Sequence, residues 1–218
     1  RLFLVRPPAL ANVERDIAPA LQSAVKHGVK HIVFLSLQGV ENNRMVPHHK
    51  IEQLLQTLAV QTTNLRASFF MQNLSTTHRE EIRDRSEIAV PVGEARTSFI
   101  DVRDIAAVAV QALTEAGHEG RNYTITGSQA LDYYEVAQIL STELGRPIRY
   151  TNPSPARFFI SQLEQGTHLS YAAVVTALYT ATRMGNAQHV TDDVERILER
   201  PAISLAQFAH DYRECWLN

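Results

Sequence analysis

The chain has 218 residues, 44% hydrophobic and 20% charged, the balance of an ordinary globular domain and not of a disordered segment. Its 21 Lys+Arg and 23 Asp+Glu leave a net charge of -2, which argues against a basic surface for nucleic acid or an acidic membrane. A single cysteine, Cys215, excludes an intrachain disulfide framework and fits a reducing, cytoplasmic compartment. No apolar run approaches the roughly 18 residues that a membrane span needs.

Leu2-Phe3-Leu4-Val5 is an apolar run stopped by Arg6-Pro7-Pro8, which reads as a strand buried on both faces. No initiator methionine or signal peptide precedes it, so the chain is expected to start inside a domain, as a fragment or processed product. From Asn12 to His27 apolar residues recur at helical spacing, and Gly28 stands where a C-cap is expected. His31 to Ser36 is a second buried strand, followed by a polar loop from Leu37 to Arg44. Pro47 opens a helix as its first-turn proline, with Ile51, Leu54, Leu55 and Leu58 as its apolar stripe. Thr62 to Ala67 is a third strand, and a helix starting at Phe69-Phe70-Met71 turns polar through Arg85. This alternation implies an α/β fold with a doubly wound, Rossmann-like parallel sheet.

Beyond Ser86 the pattern changes. Glu87 to Val92 and Arg96 to Val102 read as strands around a Gly93 turn, and Ile105 to Leu113 as an Ala-rich helix. Asn122 to Thr126 is another strand. Tyr133 to Leu144 is an amphipathic helix, capped by Asp132 or Ser128 at its start and by Gly145 at its end. After the short strand Ile148 to Tyr150 the chain reads as helical: 156–164, 171–184, 191–198 and 204–216. Thr191-Asp192-Asp193 and Ser204 serve as N-caps of the last two. No repeat or linker separates this smaller, mostly helical C-terminal lobe from the sheet.

Several stretches, in this order, resemble the NmrA-like family of NAD(P)-binding proteins, atypical short-chain dehydrogenases/reductases. They are Gly28-Val29-Lys30-His31-Ile32-Val33-Phe34-Leu35-Ser36, Pro47-His48-His49-Lys50-Ile51-Glu52 and Leu65-Arg66-Ala67-Ser68-Phe69-Phe70-Met71-Gln72-Asn73. Phe99-Ile100-Asp101-Val102-Arg103-Asp104-Ile105-Ala106 and Gly117 to Gly127 complete the set. The resemblance covers nearly the whole chain and weakens after about Gln165. It implies that residues 1–86 are the C-terminal part of a dinucleotide-binding domain, and that 87–218 form a substrate lobe interleaved with the sheet. The family opens with a Gly-x-x-Gly-x-x-Gly turn that holds the pyrophosphate. That turn is absent from this sequence, so an N-terminally truncated Rossmann-like fold is expected, with Leu2 to Val5 as its fourth strand.

The resemblance also assigns candidate residues. Arg6 and Pro7 lie in the loop expected to pass over the ribose and nicotinamide of NADP or NAD, although two prolines also simply stop a strand. Ser36 stands where related dehydrogenases keep a catalytic serine, or caps the following loop. Lys50 is expected to hold ribose hydroxyls, or to act alone as in the isoflavone-reductase-like branch. The residue four places before it is Val46, not the tyrosine acid of a Tyr-x-x-x-Lys pair. His48 and His49 are of a type that titrates near neutral pH, so either could shuttle a proton, with His49 the catalytic candidate. The alternative is a solvated first turn, with Lys50 close enough to Glu52 and Gln53 to be ordinary surface. Ala67, Phe69, Phe70 and Asn73 are expected cofactor contacts, against the plain reading that the aromatics are core.

Asp101 or Asp104 reads as the cap of the helix at Ile105, with Arg103 paired locally. The histidine spacing suggests no metal. Arg79, Arg83 and Arg85 alternate with acids, which makes a mixed surface and not a nucleic-acid stripe. The expected activity is hydride transfer from NADPH to a quinone-like small molecule. The alternative is a non-catalytic NAD(P) redox sensor acting on a regulatory protein partner, and a third reading is a scaffold that assembles oligomers through an open sheet edge.

Overall fold

A computed structural model describes residues 1–217. Two compact units share the chain by turns: residues 1–68, 103–126 and 191–201 build the first, and residues 69–102, 127–190 and 202 onward build the second. The sequence pattern alone divides the chain at residues 86 and 87, where its character changes.

In the first unit β1 (Leu2–Leu4), β2 (His31–Leu37), β3 (Gln61–Ala67) and β4 (Arg121–Ile125) form a four-stranded sheet in that order. All three pairings are parallel, with Leu2 beside Ile32, Ser36 beside Arg66 and Ala67 beside Ile125. The carboxyl ends of β1, β2 and β3 therefore lie along one edge, as the apolar runs predict. Ile32, Val33, Phe34 and Leu65 are completely buried, each side chain contributing about 1.5–3 kcal/mol. β1 differs from expectation. It stops at Leu4, and Phe3 is 39% exposed. As the outer strand of the four it turns only Leu2 and Leu4 toward the cluster of Ile17, Leu21, Ile32, Phe34, Ile51 and Leu55.

The predicted helix from Asn12 to His27 is two helices, α1 (Val13–Asp16) and α2 (Ala18–Lys26). Pro19 in the first turn of α2 has no N–H to continue the ladder, and its ring would crowd the carbonyl four residues back, so the chain breaks at Ile17. Gly28 (φ +93°) closes α2. Its N–H bonds Val25 O and that of Val29 bonds Ala24 O, the paired bonds of a Schellman turn. α3 (Pro47–Thr57) begins at Pro47 as read. α4 (Val102–Thr114) starts three residues before the predicted Ile105.

The second unit has its own core, with Ile82, Ile88, Val90, Val92, Val136, Leu140, Phe208 and Trp216 buried together. Its long helices are α5 (Tyr133–Leu144), α6 (Pro155–Glu164), α7 (Leu169–Arg183) and α8 (Leu205–Tyr212). Asp132 caps α5 in a reciprocal box with Glu135, and Gly145 (φ +66°) ends it. Ser204 caps α8 by accepting from Gln207 N–H.

Two predicted elements of this unit are not formed. The helix from Phe69 to Arg85 is only a turn at Gln72–Ser75 and a π-helical turn at Glu81–Arg85. Ser75 and Thr76 both donate their hydroxyls to Gln72 O, drawing that carbonyl out of the helical ladder. Of the strands at 87–92 and 96–102 only Glu87–Ile88 is regular, paired in parallel with Arg149–Tyr150. Pro91 removes a ladder donor. The second segment makes isolated bridges, Thr97 with Leu131 and Ile100 with Phe70.

Candidate functional site

The carboxyl edge of the parallel sheet gathers polar residues from three consecutive strand–loop junctions of the first unit. Ligands of doubly wound sheets bind at this edge, where loops leave the strands and backbone groups are free.

After β1, Arg6 folds its guanidinium back over the turn. Its Nη1 donates to the carbonyls of Pro7 (2.9 Å), Pro8 (3.1 Å) and Leu10 (3.3 Å). Arg6 thus shapes the loop that the two prolines begin, and Pro7 itself is exposed. Arg6 Nε is buried and has no hydrogen-bond partner in the protein.

At the end of β2, the buried Ser36 donates its hydroxyl to Glu52 Oε1 at 2.6 Å. The same carboxylate takes two bonds from Arg66 of β3, from Nη2 at 2.7 Å and Nε at 3.2 Å. Arg66 also meets Glu41 at 3.2 Å. Hydrogen bonding to Glu52, ahead of the two carboxylate charges, raises the Arg66 pKa. Glu52 is therefore not surface, as the solvated-turn reading has it, but a buried junction of β2, α3 and β3. Sequence reasoning passed over Glu52 and Arg66. The signals were present: Glu52 adjoins Ile51 and stands three places before Leu55 on the apolar stripe, and an arginine near the end of a buried strand demands a partner.

The first turn of α3 carries the two histidines and Lys50. His48 stacks on Phe34, with ring centroids 5.8 Å apart. Burial, and after it the charge of Arg6, pushes its pKa down to about 4. His48 is therefore neutral near pH 7, with one ring nitrogen bearing a proton and the other a lone pair. His49 Nδ1 lies 3.0 Å from Val40 O. A carbonyl only accepts, so Nδ1 holds the proton and Nε2 presents a lone pair. That Nε2 is buried and has no protein partner. Lys50 is exposed. Val46, where a tyrosine acid would stand, is the extended N-cap residue of α3.

The segment after β3 is tied down by its backbone. Ala67 is buried, and its carbonyl accepts from Gln38 N–H. In the second unit Phe69 packs on Tyr179 with centroids 6.2 Å apart, and its carbonyl accepts from Ile100 N–H. Phe70 forms the bridge with Ile100 and is half-buried. Asn73 uses its carbonyl on His78 N–H. Gln72, not singled out by the sequence, does more: it donates to Asp101 Oδ1 at 2.9 Å and accepts from Val102 N–H at 3.0 Å. Asp101 and Asp104 are completely buried. Asp104 pairs with Arg200 at 2.7 Å and lies inside α4 instead of capping it, because the helix begins at Val102.

Among the described residues no cluster of three or more His, Cys, Asp or Glu is placed to hold a metal ion. No helix among them is long and apolar enough to cross a membrane.

Proteins similar to this chain include reductases and a regulator. The NAD(P)H azoreductase of Xenophilus azovorans is 36% identical over 215 residues, 96% of this chain and 74% of the azoreductase. The NADPH-dependent quinone oxidoreductase of Escherichia coli, solved with NADPH, superposes with a TM-score of 0.84 at 21% identity, covering 96% of this chain and 74% of that one. NmrA, a negative transcriptional regulator solved with NADP, gives a TM-score of 0.72 at 16% identity over 97% of this chain and 73% of its own. The profile of the NmrA-like family matches residues 11–211, and the chain belongs to that family.

Proposed function

We propose that the protein binds a nicotinamide dinucleotide, NADP or NAD, at the carboxyl edge of β1–β3 and reduces a conjugated small molecule of quinone or azo type. The observation that carries this reading is the pair of buried polar atoms without protein partners at that edge, Arg6 Nε and His49 Nε2. Buried polar groups in folded proteins are nearly always satisfied, so a donor and an acceptor left open on one sheet edge call for a polar ligand. With the exposed Lys50 ammonium they form a set suited to ribose hydroxyls and a carboxamide. The fold and the reductase relatives supply the identity of that ligand.

When bound, the nicotinamide supplies the hydride. The residues of this chain position and protonate. Arg6 holds the loop after β1 in shape through its three carbonyl bonds. The Ser36–Glu52–Arg66 network keeps α3 fixed against the strand ends, so that Lys50 and His49 are presented from a rigid turn. His49 Nε2 is the atom proposed to take a proton from solvent onto its lone pair and pass it to the reduced acceptor. An acceptor that gains electrons readily needs little acid assistance, which makes Val46 in place of a tyrosine tolerable.

Val46 equally favours a second reading, an NAD(P) sensor that passes cofactor occupancy to a protein partner without turnover. One experiment separates the two. The full-length protein is titrated with NADPH and NADH, and loss of the reduced-nicotinamide absorbance is then followed with a panel of quinones and azo dyes. Binding with oxidation supports the reductase. Binding without oxidation on any acceptor selects the sensor. Failure to bind either dinucleotide overturns both.

A further inference from the structure

A polar cavity of about 520 Å³ lies wholly within the second unit. Gly93, Glu94, Asn152, Arg183, Met184 and Gly185 are among its lining residues. Arg183, in the last turn of α7, has no ion-pair or hydrogen-bond partner among the described residues. Its side chain lies against the bare α-carbon of Gly93: a Cβ there would stand 3.5 Å from both Nε and Cζ of the guanidinium. Gly93 also has φ +70°, which other residues rarely adopt.

Asn152 is held in the left-handed region, at φ +40°. Its Oδ1 accepts from Gly93 N–H at 3.1 Å and lies 3.2 Å from the Tyr150 hydroxyl. Those contacts fix which end of the amide is oxygen, so its NH₂ group is the free end. Gly93 N–H and Val92 N–H are already taken, the latter by Tyr150 Oη at 3.2 Å. The lining therefore offers two donors that no protein group occupies, the exposed guanidinium fork of Arg183 and the Asn152 amide NH₂. The one acid in the lining is the exposed Glu94.

We propose that this cavity binds the carboxylate of a small organic monoanion, with Arg183 and the Asn152 amide as donors. A guanidinium matches the two oxygens of a carboxylate in a fork-to-fork pair. Repulsion from Glu94 grows with the charge of the ligand, so a phosphate dianion is disfavoured more than a monoanion. Val92, Ala95 and Met184 add apolar wall for an organic body. The cavity volume falls in the range of small-molecule sites. None of this depends on the dinucleotide reading.

Calorimetric titration of the full-length protein with benzoate, benzamide and inorganic phosphate tests it, on the wild type and on two surface variants. Arg183→Gln removes the fork. Met184→Glu places a second carboxylate beside it, at a side chain that is 72% exposed and so without effect on the core. Saturable benzoate binding is expected, with no saturation by benzamide or phosphate, and each variant weakens benzoate by about tenfold or more. Wild-type protein that does not saturate with benzoate overturns the proposal. So does phosphate or benzamide binding as well as benzoate, or either variant keeping wild-type affinity while melting at the wild-type temperature.

Discussion

Ser36 Oγ donates to Glu52 Oε1 at 2.6 Å, so the last buried residue of β2 is fastened to the middle of α3. The other carboxylate oxygen faces Arg66 Nη2 at 2.7 Å. One carboxylate thus joins two strands and a helix at the edge where the cofactor is proposed to lie.

Glu52→Ala leaves the largely buried Arg66 guanidinium with only the exposed end of Glu41 and leaves the Ser36 hydroxyl without its acceptor. Removing one partner of a buried ion pair is costly, here about 3 kcal/mol, which for a chain of this length lowers Tm by roughly 6–12 °C. Glu52→Gln keeps the shape and one acceptor, and loses less. Scanning calorimetry of both variants decides: a Glu52→Ala protein melting within about 1 °C of wild type contradicts the structural role.

His48 gives a pH signature. Its folded pKa is about 4, against about 6.5 in an unfolded chain. Between these values the unfolded state binds the extra proton, so this contribution to stability is complete above about pH 6.5 and is lost as the pH falls toward 4. His31 is shifted the same way by burial, so the comparison must be with a variant. Urea unfolding of His48→Phe, which keeps a ring against Phe34, is expected to fall less steeply over this interval. Identical pH slopes would place the effect elsewhere.

Lys50 and His49 should separate binding from turnover. Lys50→Ala removes an exposed ammonium and is expected to weaken NADPH about tenfold, with the melting temperature unchanged. His49→Ala is expected to lower kcat about 100-fold and also to weaken the dinucleotide, since Nε2 is one of its proposed contacts, whereas Lys50→Ala leaves kcat unchanged. Fluorescence titration and steady-state kinetics on the two variants measure these. A His49→Ala enzyme with full kcat removes the proton role.

Gly127 tests the second unit. An added Cβ would stand 2.2 Å from the carbonyl oxygen of Phe99, and that backbone is held by a ring packed edge-on to Tyr133 at 5.4 Å. Gly127→Ala should cost about 3 kcal/mol by overpacking. Gly117→Ala is the control. It has open space and only a strained φ of +95°, so it should cost about 1 kcal/mol. Equal Tm losses for the two would refute the contact.

How far the sequence can be read depends on the range of the forces involved. The apolar run at Ile32-Val33-Phe34 and the stripe at Ile51, Leu54 and Leu55 are legible because burial periodicity is a local record of which face meets the core. Gly28, Pro47, Asp132 and Gly145 are legible for the same reason, since a cap acts on groups within a few residues. The helix predicted from Phe69 to Arg85 fails because periodicity does not register two hydroxyls competing for Gln72 O. The strand at Arg96 to Val102 fails because a ladder needs a neighbour, and this segment finds one only at single bridges.

Composition, periodicity and end signals therefore determined by themselves that this is a parallel α/β chain whose β1, β2 and β3 point the same way, and they located Arg6 and Ser36 at strand ends and His49 and Lys50 in the first turn of α3, while the roles expected of these residues came from the family resemblance. Tertiary structure decided the chemistry at those ends. It paired Glu52 with Ser36 and Arg66, lowered the pKa of His48 by burying it and left Nε2 of His49 open. Hydrogen bonds and desolvation act through space between residues far apart in the chain, so their outcome exists only once the strands are side by side.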